Sequence, residues 1–360
     1  MIKEQIFNQT QADHFASSLL DMLNKSSLAL MISIGHRSGL FDTLSNMDFA
    51  TSGEIAGKSK LNERYVREWL GAMVTSGVID YLPKDKLYKL PEEHAAYLTR
   101  NAGADNMAVF TQYVSVMGEV EDDILKCFEN GGGVSYDKFH RFHEVMAEDS
   151  GQSVLSSLET HILPLVPGLT DLLNDGIDML DVGCGSGKII NKLASNFPNS
   201  RFTGMDLSPE AINKANGEAK DLQLENVEFI TKDLSDFHLT APKEDFDFIT
   251  TFDAIHYQGQ PLNVLKGIHL ALKPGGTYLM QDISGSGDLE QDIEHPIGTF
   301  LYTISCMHCM TVSLAQNGEG LGAMWGEKRT KEYLEKAGFS SIETNKLAHD
   351  IQNNWYVVKK

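Results

Sequence analysis

Positive charge is what this 360-residue chain is short of: 30 Lys and Arg stand against 50 Asp and Glu, a net charge of −20. A surface that holds phosphates needs clustered Lys and Arg, so the deficit argues against nucleic acid as a partner. Cysteine is sparse too, with Cys127, Cys184, Cys306 and Cys309 irregularly spaced, which fits reduced thiols and excludes a disulfide framework. No stretch approaches the roughly 18 uninterrupted apolar residues of a membrane span. The start, Met1-Ile2-Lys3-Glu4-Gln5, has neither the apolar core nor the small-residue cleavage site of a secretory leader. A protein of the cytoplasm with no membrane partner is the expectation. Internal repeats and low-complexity tracts are absent as well.

What is present is ordinary in bulk, 42% apolar and 22% charged, and at this length two domains are expected. From Gln11 to Arg37 apolar residues recur at helical spacing (Phe15, Leu19, Met22, Leu23, Leu28, Met31, Ile32), predicting one or two helices with a buried face. Thr51 to Ala56 starts a short helix, and Asn62 is placed to cap a second one carrying Tyr65, Val66, Trp69, Leu70 and Met73 on one face. Val78 to Leu82, a polar turn at Pro83 to Lys86, and Leu87 to Leu90 predict a two-stranded ribbon. Helix, turn, helix and hairpin make a winged helix, a fold that reads DNA through its second helix. Residues 53–100 hold eight Lys and Arg against seven Asp and Glu, so no basic face stands out and a structural, dimerising role is expected. Asn106 to Asn174 is helical again. Tyr113, Phe142 and Met146 in it are candidates for touching substrate, because such helices commonly wall a cleft.

The stretch Met179-Leu180-Asp181-Val182-Gly183-Cys184-Gly185-Ser186-Gly187-Lys188-Ile189-Ile190 reads as strand, tight turn and helix start. Glycines at a strand's carboxyl end let backbone N–H groups and a helix N-terminus approach a ligand, since no Cβ stands between them. The spacing G-x-G-x-G is neither the dinucleotide fingerprint nor the phosphate loop. Further strands are predicted at Arg201 to Asp206, Val227 to Leu234, Phe246 to Phe252 and Thr277 to Asp282. Helices are predicted at Ile189 to Ser195, Pro209 to Lys220 and Leu262 to Leu272. Strict alternation of this kind requires a parallel sheet with helices on both faces, and its ligands lie at the strands' carboxyl ends. Asp181, Asp206, Asp233, Asp253 and Asp282 all fall near those ends. Asp206 follows the glycines by about twenty residues, where an α/β nucleotide fold places the carboxylate that accepts from ribose hydroxyls. Asp233 is set to accept from an adenine amino group, with the Leu234 N–H nearby.

An acid before G-x-G-x-G, two more acids at these separations, and Lys273-Pro274-Gly275-Gly276 before the fifth strand together resemble the class I S-adenosylmethionine-dependent methyltransferases. The likeness covers residues 175–282, with a final hairpin expected in Ser340 to Val358. The winged-helix front makes the whole chain similar to small-molecule O-methyltransferases whose N-terminal domain dimerises. The resemblance implies an α/β, Rossmann-like class I methyltransferase sheet at 166–360 behind a helical and winged-helix domain at 1–165. It implies S-adenosylmethionine as donor, S-adenosylhomocysteine as product, a homodimer, a small-molecule acceptor with an oxygen or sulfur nucleophile, and no metal. Carried over residue by residue, Asp181, Gly183, Gly185 and Gly187 hold the methionine end and Asp206 the ribose. Asp233 and Leu234 hold the adenine, and Leu207 and Phe252 complete the cofactor set. His256 aligns with the family's catalytic histidine. The family follows that histidine with Asp-Trp where this chain has Tyr257-Gln258, so His256 is either the base or a residue that orients and lines the site.

Between the fifth strand and the C-terminal helix lie Tyr302 to Met310 and Gly318 to Gly326. In the resembling fold this segment covers the acceptor pocket, which adds Tyr302, His308 and Trp325 to Tyr257 as substrate residues. Ile304, Cys306, Met307 and Met310 are expected to pack inside a helix. Cys306, His308 and Cys309 lack the spacing of a structural zinc site. A soft thiolate pair suits arsenic, so arsenite methylation is one alternative, and a non-catalytic regulator retaining the cofactor fold is another. A hydroxyl acceptor benefits from an imidazole base with a pKa near ~6.5, whereas a thiol titrating near ~8.5 needs less help.

Overall fold

The structure is a computed structural model describing residues 7–360; the stretch Met1 to Gln5, read above for a leader, lies outside the described residues. The chain divides into two units, Met1–Ser115 and Val116–Lys360, so residues 116–165 group with the sheet-bearing part.

In the first unit the long apolar periodicity forms one helix, Gln9–Arg37, opened by the Asn8 side chain accepting from the Gln11 N–H. Its apolar stripe is not buried as expected. Phe15, Leu19 and Leu23 are 62%, 49% and 64% exposed, and only the last turns pack, where Leu28, Met31 and Ile32 meet the unit's core. There Trp69 Nε1 donates to the Met31 carbonyl at 2.8 Å. A Cβ at Gly35 would stand 2.6 Å from the Trp69 ring, so glycine is what lets the two helices approach. Helices Ser52–Ser59 and Glu63–Thr75 follow, the first with a reciprocal capping box between Thr51 and Glu54, the second capped by Asn62. Val66, Trp69, Leu70 and Met73 are buried, whereas Tyr65 is 80% exposed. The expectation that all five share a face fails because Tyr65 leads the stripe by about 100° on a helix. Strands β1 (Asp80–Leu82) and β2 (Leu87–Lys89) pair antiparallel with Tyr81 opposite Tyr88. Helix, turn, helix and hairpin thus form the expected winged helix.

The second unit is built on seven strands: β3 (Asp178–Val182), β4 (Arg201–Asp206), β5 (Val227–Thr231), β6 (Phe246–Phe252), β7 (Leu272–Ile283), β8 (Ser341–Asn345) and β9 (Asn353–Lys359). Their order is β5-β4-β3-β6-β7-β9-β8. The first five run parallel, and the C-terminal hairpin adds antiparallel to β7 with Tyr278 opposite Val358. Alternate residues face opposite sides. Leu180, Ile249 and Tyr356 enter one core and Met179, Phe248 and Trp355 the other, which is why both faces need helices. β5 stops three residues short of the predicted Leu234, which leaves Asp233 exposed on a loop where its side chain accepts from the Ser235 N–H. Strand order reverses beside β3, which opens a crevice at the carboxyl ends of β3 and its neighbours.

Candidate functional site

The crevice holds a cavity of about 690 Å³, within the range of small-molecule sites. Its floor is the glycine turn. Gly183 N–H donates to the Met205 carbonyl at 2.7 Å, and Gly185 N–H to Asp206 Oδ2 at 2.9 Å, tying the turn to the end of β4. The three glycines do different work. A Cβ at Gly183 would lie 2.6 Å from that of Ala254, and one at Gly187 would lie 2.5 Å from the Phe229 ring; at Gly185 (φ +53) nothing stands within 4 Å. Gly183 and Gly187 therefore let elements pack, while Gly185 borders open space with its backbone exposed to a ligand. Gly187 starts the helix Lys188–Asn196, whose N-terminus faces the same turn.

Asp181 is buried and accepts from the Thr250 hydroxyl at 2.8 Å. Burial pushes its carboxyl up to about 7, against the pull of that hydrogen bond, with Asp206 adding to the rise. Asp206 spends its other oxygen on the Ser208 N–H at 2.8 Å. The opposite wall comes from the helix Phe142–Ser150 and the π-helical turn after it, and Tyr136, Phe142, His143 and Met146 project from this side. Phe252, Asp253 and Tyr257, following β6, close the end.

Behind that end sits His256, buried, with Nδ1 2.8 Å from Asp282 Oδ1. The carboxylate holds a proton on Nδ1, and the Cys309 side chain bonds the same ring, so Nε2 carries a lone pair only when the ring is neutral. Asp282 Oδ1 also accepts from Trp325 Nε1 at 3.1 Å and from the Ile283 N–H at 2.8 Å. Burial alone drives the imidazole pKa down; Asp282 and the neighbouring Cys309 reverse this and hold it well above the ordinary histidine value. Asp253 (φ 49) has a buried Oδ1 without a partner, as has Asp282 at Oδ2. Burial, then the Asp282 charge, keep the Asp253 carboxyl well above its usual range. Asp253, His256 and Asp282 each bring a ligand atom within 4.8 Å of the others, a set able to take a divalent cation, although His256 Nδ1 and Asp282 Oδ1 are engaged with one another.

Of the residues singled out in the sequence, Asp181, Gly183, Gly185, Asp206 and Phe252 line the cavity with Phe142, Met146 and Tyr257. Leu207 is half exposed beside it, and Leu234 packs in the core. Tyr302 donates to Asp292 Oδ2 at 2.9 Å, Trp325 acts through Asp282, and Tyr113 lies buried in the N-terminal unit. His308 does not reach the cavity surface. It stacks on Phe142 with ring centroids 3.4 Å apart and neither nitrogen bonded, and burial together with His256 and His143 holds its pKa well below the usual value. It sits on a π-helical turn, Ser305–Cys309, rather than a plain helix. The turn rotates the packing: Ser305, His308 and Cys309 are buried, while Ile304, Cys306, Met307 and Met310 are only half-buried. Tyr136, which lines the cavity, was not among the sequence candidates, and Asp282, which holds His256, was noted there as a strand-end acid without a role. Asp282 had one legible signal, its place at the end of the fifth parallel strand.

Two family descriptions match the chain: an Rv2258c-like winged HTH domain over residues 26–100 and a methyltransferase domain over 173–338. Malonyl-[acyl-carrier protein] O-methyltransferase of Paenibacillus sp. (strain JDR-2) is 24% identical over 169 residues, which is 46% of this chain. The chain spans about half of that relative's length, 55%. Human N-acetylserotonin methyltransferase in complex with S-adenosylmethionine aligns over 99% of both chains with a TM-score of 0.65 at 17% identity. Mitomycin 7-O-methyltransferase aligns over 98% of this chain and 100% of its own with a TM-score of 0.67 at 16% identity. At such identities the likeness is one of fold, the class I methyltransferase fold.

Proposed function

Because the chain carries a winged helix-turn-helix domain ahead of an S-adenosylmethionine-dependent methyltransferase domain, we propose that it transfers the donor's methyl group to an oxygen or sulfur of a small molecule. The observation that carries the reading is the glycine turn held to Asp206, with Gly185 opening onto the cavity. Asp206 keeps lone pairs free for ribose hydroxyls, Asp181 and the Gly183–Gly185 backbone serve the methionine end, and Phe252 packs beside them. Asp233 and Leu234 take the adenine. When bound, the donor supplies a methyl carbon whose bonding pair returns to sulfur as the acceptor's lone pair forms the new bond. The chain's tasks are to align the acceptor, exclude water and receive its proton. His256 receives that proton at Nε2 once it is itself neutral, and Asp282 steadies the resulting imidazolium. Phe142, Met146 and Tyr257 shape the acceptor end, with His308 buttressing Phe142 from behind. Titration calorimetry with S-adenosylmethionine and S-adenosylhomocysteine tests the reading: saturable binding of both is expected, and binding of neither sinks it.

The exposed stripe Phe15, Leu19 and Leu23 is read as the seat of a second copy of the chain, in keeping with a dimerising N-terminal domain. The helix is 29 residues long, about 43 Å at 1.5 Å per residue, enough to carry a substantial apolar seam. A Leu19→Glu, Leu23→Glu double variant is expected to run as a monomer in light scattering while the parent runs as a dimer; a monomeric parent refutes this. No helix of the described residues is long and apolar enough to cross a membrane. Four free thiols accord with a cytoplasmic setting.

A further inference from the structure

The acceptor end of the cavity carries a charge pattern that methyl transfer by itself does not require. Its lining includes two lysines and no arginine. Lys214 is paired with Glu210 at 2.8 Å, and Lys188 donates to the Ala147 carbonyl at 3.4 Å. His143 is pushed toward its neutral form by burial. Lys214 is thus offset by its ion pair, and Lys188 keeps its charge at the start of the helix that follows the glycine turn. Asp253 supplies the opposite sign. It lines the cavity, its Oδ1 is buried without a partner, and its left-handed backbone conformation, uncommon for a residue with a Cβ, holds it there. The fold spends only its backbone N–H, on the Gln281 carbonyl at 3.2 Å. Beside it the Tyr136 and Tyr257 rings lie within 7° of parallel, with centroids 6.4 Å apart. Aromatic faces of this kind attract a cation.

We infer that this end is built for an acceptor bearing a cationic nitrogen a few bonds from its nucleophile, an aminothiol or aminoalkyl phenol, with Asp253 as counter-ion and the Tyr136 and Tyr257 rings around the ammonium. A cationic group arriving beside Asp253 favours its ionised form against burial, whereas an acceptor bearing carboxylate or phosphate gains no such pairing and disfavours that form. The inference rests on the methyl-transfer reading and sharpens it to a substrate class.

The test uses the full chain with S-adenosylmethionine and two matched sets: cysteamine, 2-mercaptoethanol and mercaptoacetate, and tyramine, 4-ethylphenol and 4-hydroxyphenylacetate. The cationic member of the productive set is expected to show kcat/KM at least about tenfold above the neutral one and about a hundredfold above the anionic one, the scale of one buried charge contact. In Asp253→Asn the cationic-to-neutral ratio is expected to collapse toward one. An anionic member turned over as well as the neutral one overturns the inference. So does an Asp253→Asn loss that is equal for all three acceptors, since Asp253 would then serve the donor. The methyl-transfer reading fails separately, if neither S-adenosylmethionine nor S-adenosylhomocysteine binds. If no acceptor is methylated, calorimetry with 2-(methylthio)ethylamine, 2-(methylthio)ethanol and (methylthio)acetate in the presence of S-adenosylhomocysteine still decides the charge preference, and equal binding of the three refutes it.

Discussion

Replacing Asp282 with asparagine isolates the charge behind His256 while keeping its shape. The amide oxygen still accepts from Trp325 Nε1 and the Ile283 N–H, which now reach Asp282 Oδ1 at 3.1 and 2.8 Å, so the fold should persist. What disappears is the charge-assisted bond to His256 at 2.8 Å. Such a bond contributes about 1.5–3 kcal/mol, and an imidazolium forming as the acceptor loses its proton would forgo that much. At about 1.36 kcal/mol per decade, kcat with a phenolic acceptor should fall about ten- to a hundredfold. The acid limb of kcat/KM should move toward lower pH, because Asp282 is what lifts the His256 pKa above its ordinary value against the effect of burial. Stability carries the same sign. A raised folded-state pKa contributes stability that is complete below the unfolded value of about 6.5 and is lost as pH rises through the folded value. The variant should therefore lose more thermal stability in acid than in alkali. Steady-state rates against pH and melting curves at several pH values are the assays. A kcat within about twofold of the parent, with the acid limb unmoved, would refute His256 as an Asp282-supported base.

The glycine turn offers a contrast of stability against binding. Gly187→Ala forces a Cβ to 2.5 Å from Phe229 and 2.7 Å from Ala215, so it should cost about 1–3 kcal/mol in denaturant titration. Gly185→Ala meets nothing within 4 Å, should cost only about 1 kcal/mol for its positive φ, and should weaken S-adenosylmethionine binding in calorimetry. His308, buried neutral, predicts the reverse pH trend to His256. Its depressed folded-state pKa means that stability is complete above the ordinary histidine value and declines as pH falls below it. His308→Leu should flatten the acid side of the melting profile; an unchanged slope there would count against it.

Residues whose role is local were legible in the sequence. The Asn62 cap, the helix start at Thr51, the glycine turn and Asp206 all act within a few residues or at a fixed offset along one βαβ unit, and pattern alone places them. Partnerships across the fold were not legible. His256 and Asp282 lie 26 residues apart in the chain, with a helix and most of β7 between them, and only the parallel pairing of β6 and β7 brings them together. Nothing near Tyr136 in the sequence distinguishes a cavity wall from a core. The Gln9–Arg37 stripe misled for a related reason: periodicity reports that a face is apolar, not what covers it.

Two buried histidines are pushed in opposite directions, His256 toward its charged form and His308 toward its neutral one, and the cause bears on what can bind. His256 has a carboxylate at 2.8 Å; His308 has Phe142 stacked at 3.4 Å and no polar partner. One imidazolium beside the cavity raises the cost of a second, which is part of why His308 stays neutral. A methyl donor bearing a sulfonium brings a further positive charge to the same place. Such charges are tolerated together only where acids offset them, and Asp181, Asp206 and Asp253 line the cavity beside that pair. A cation arriving beside these carboxyls favours their ionised forms against the burial that raises Asp181 and Asp253, so donor and acids support one another's charge.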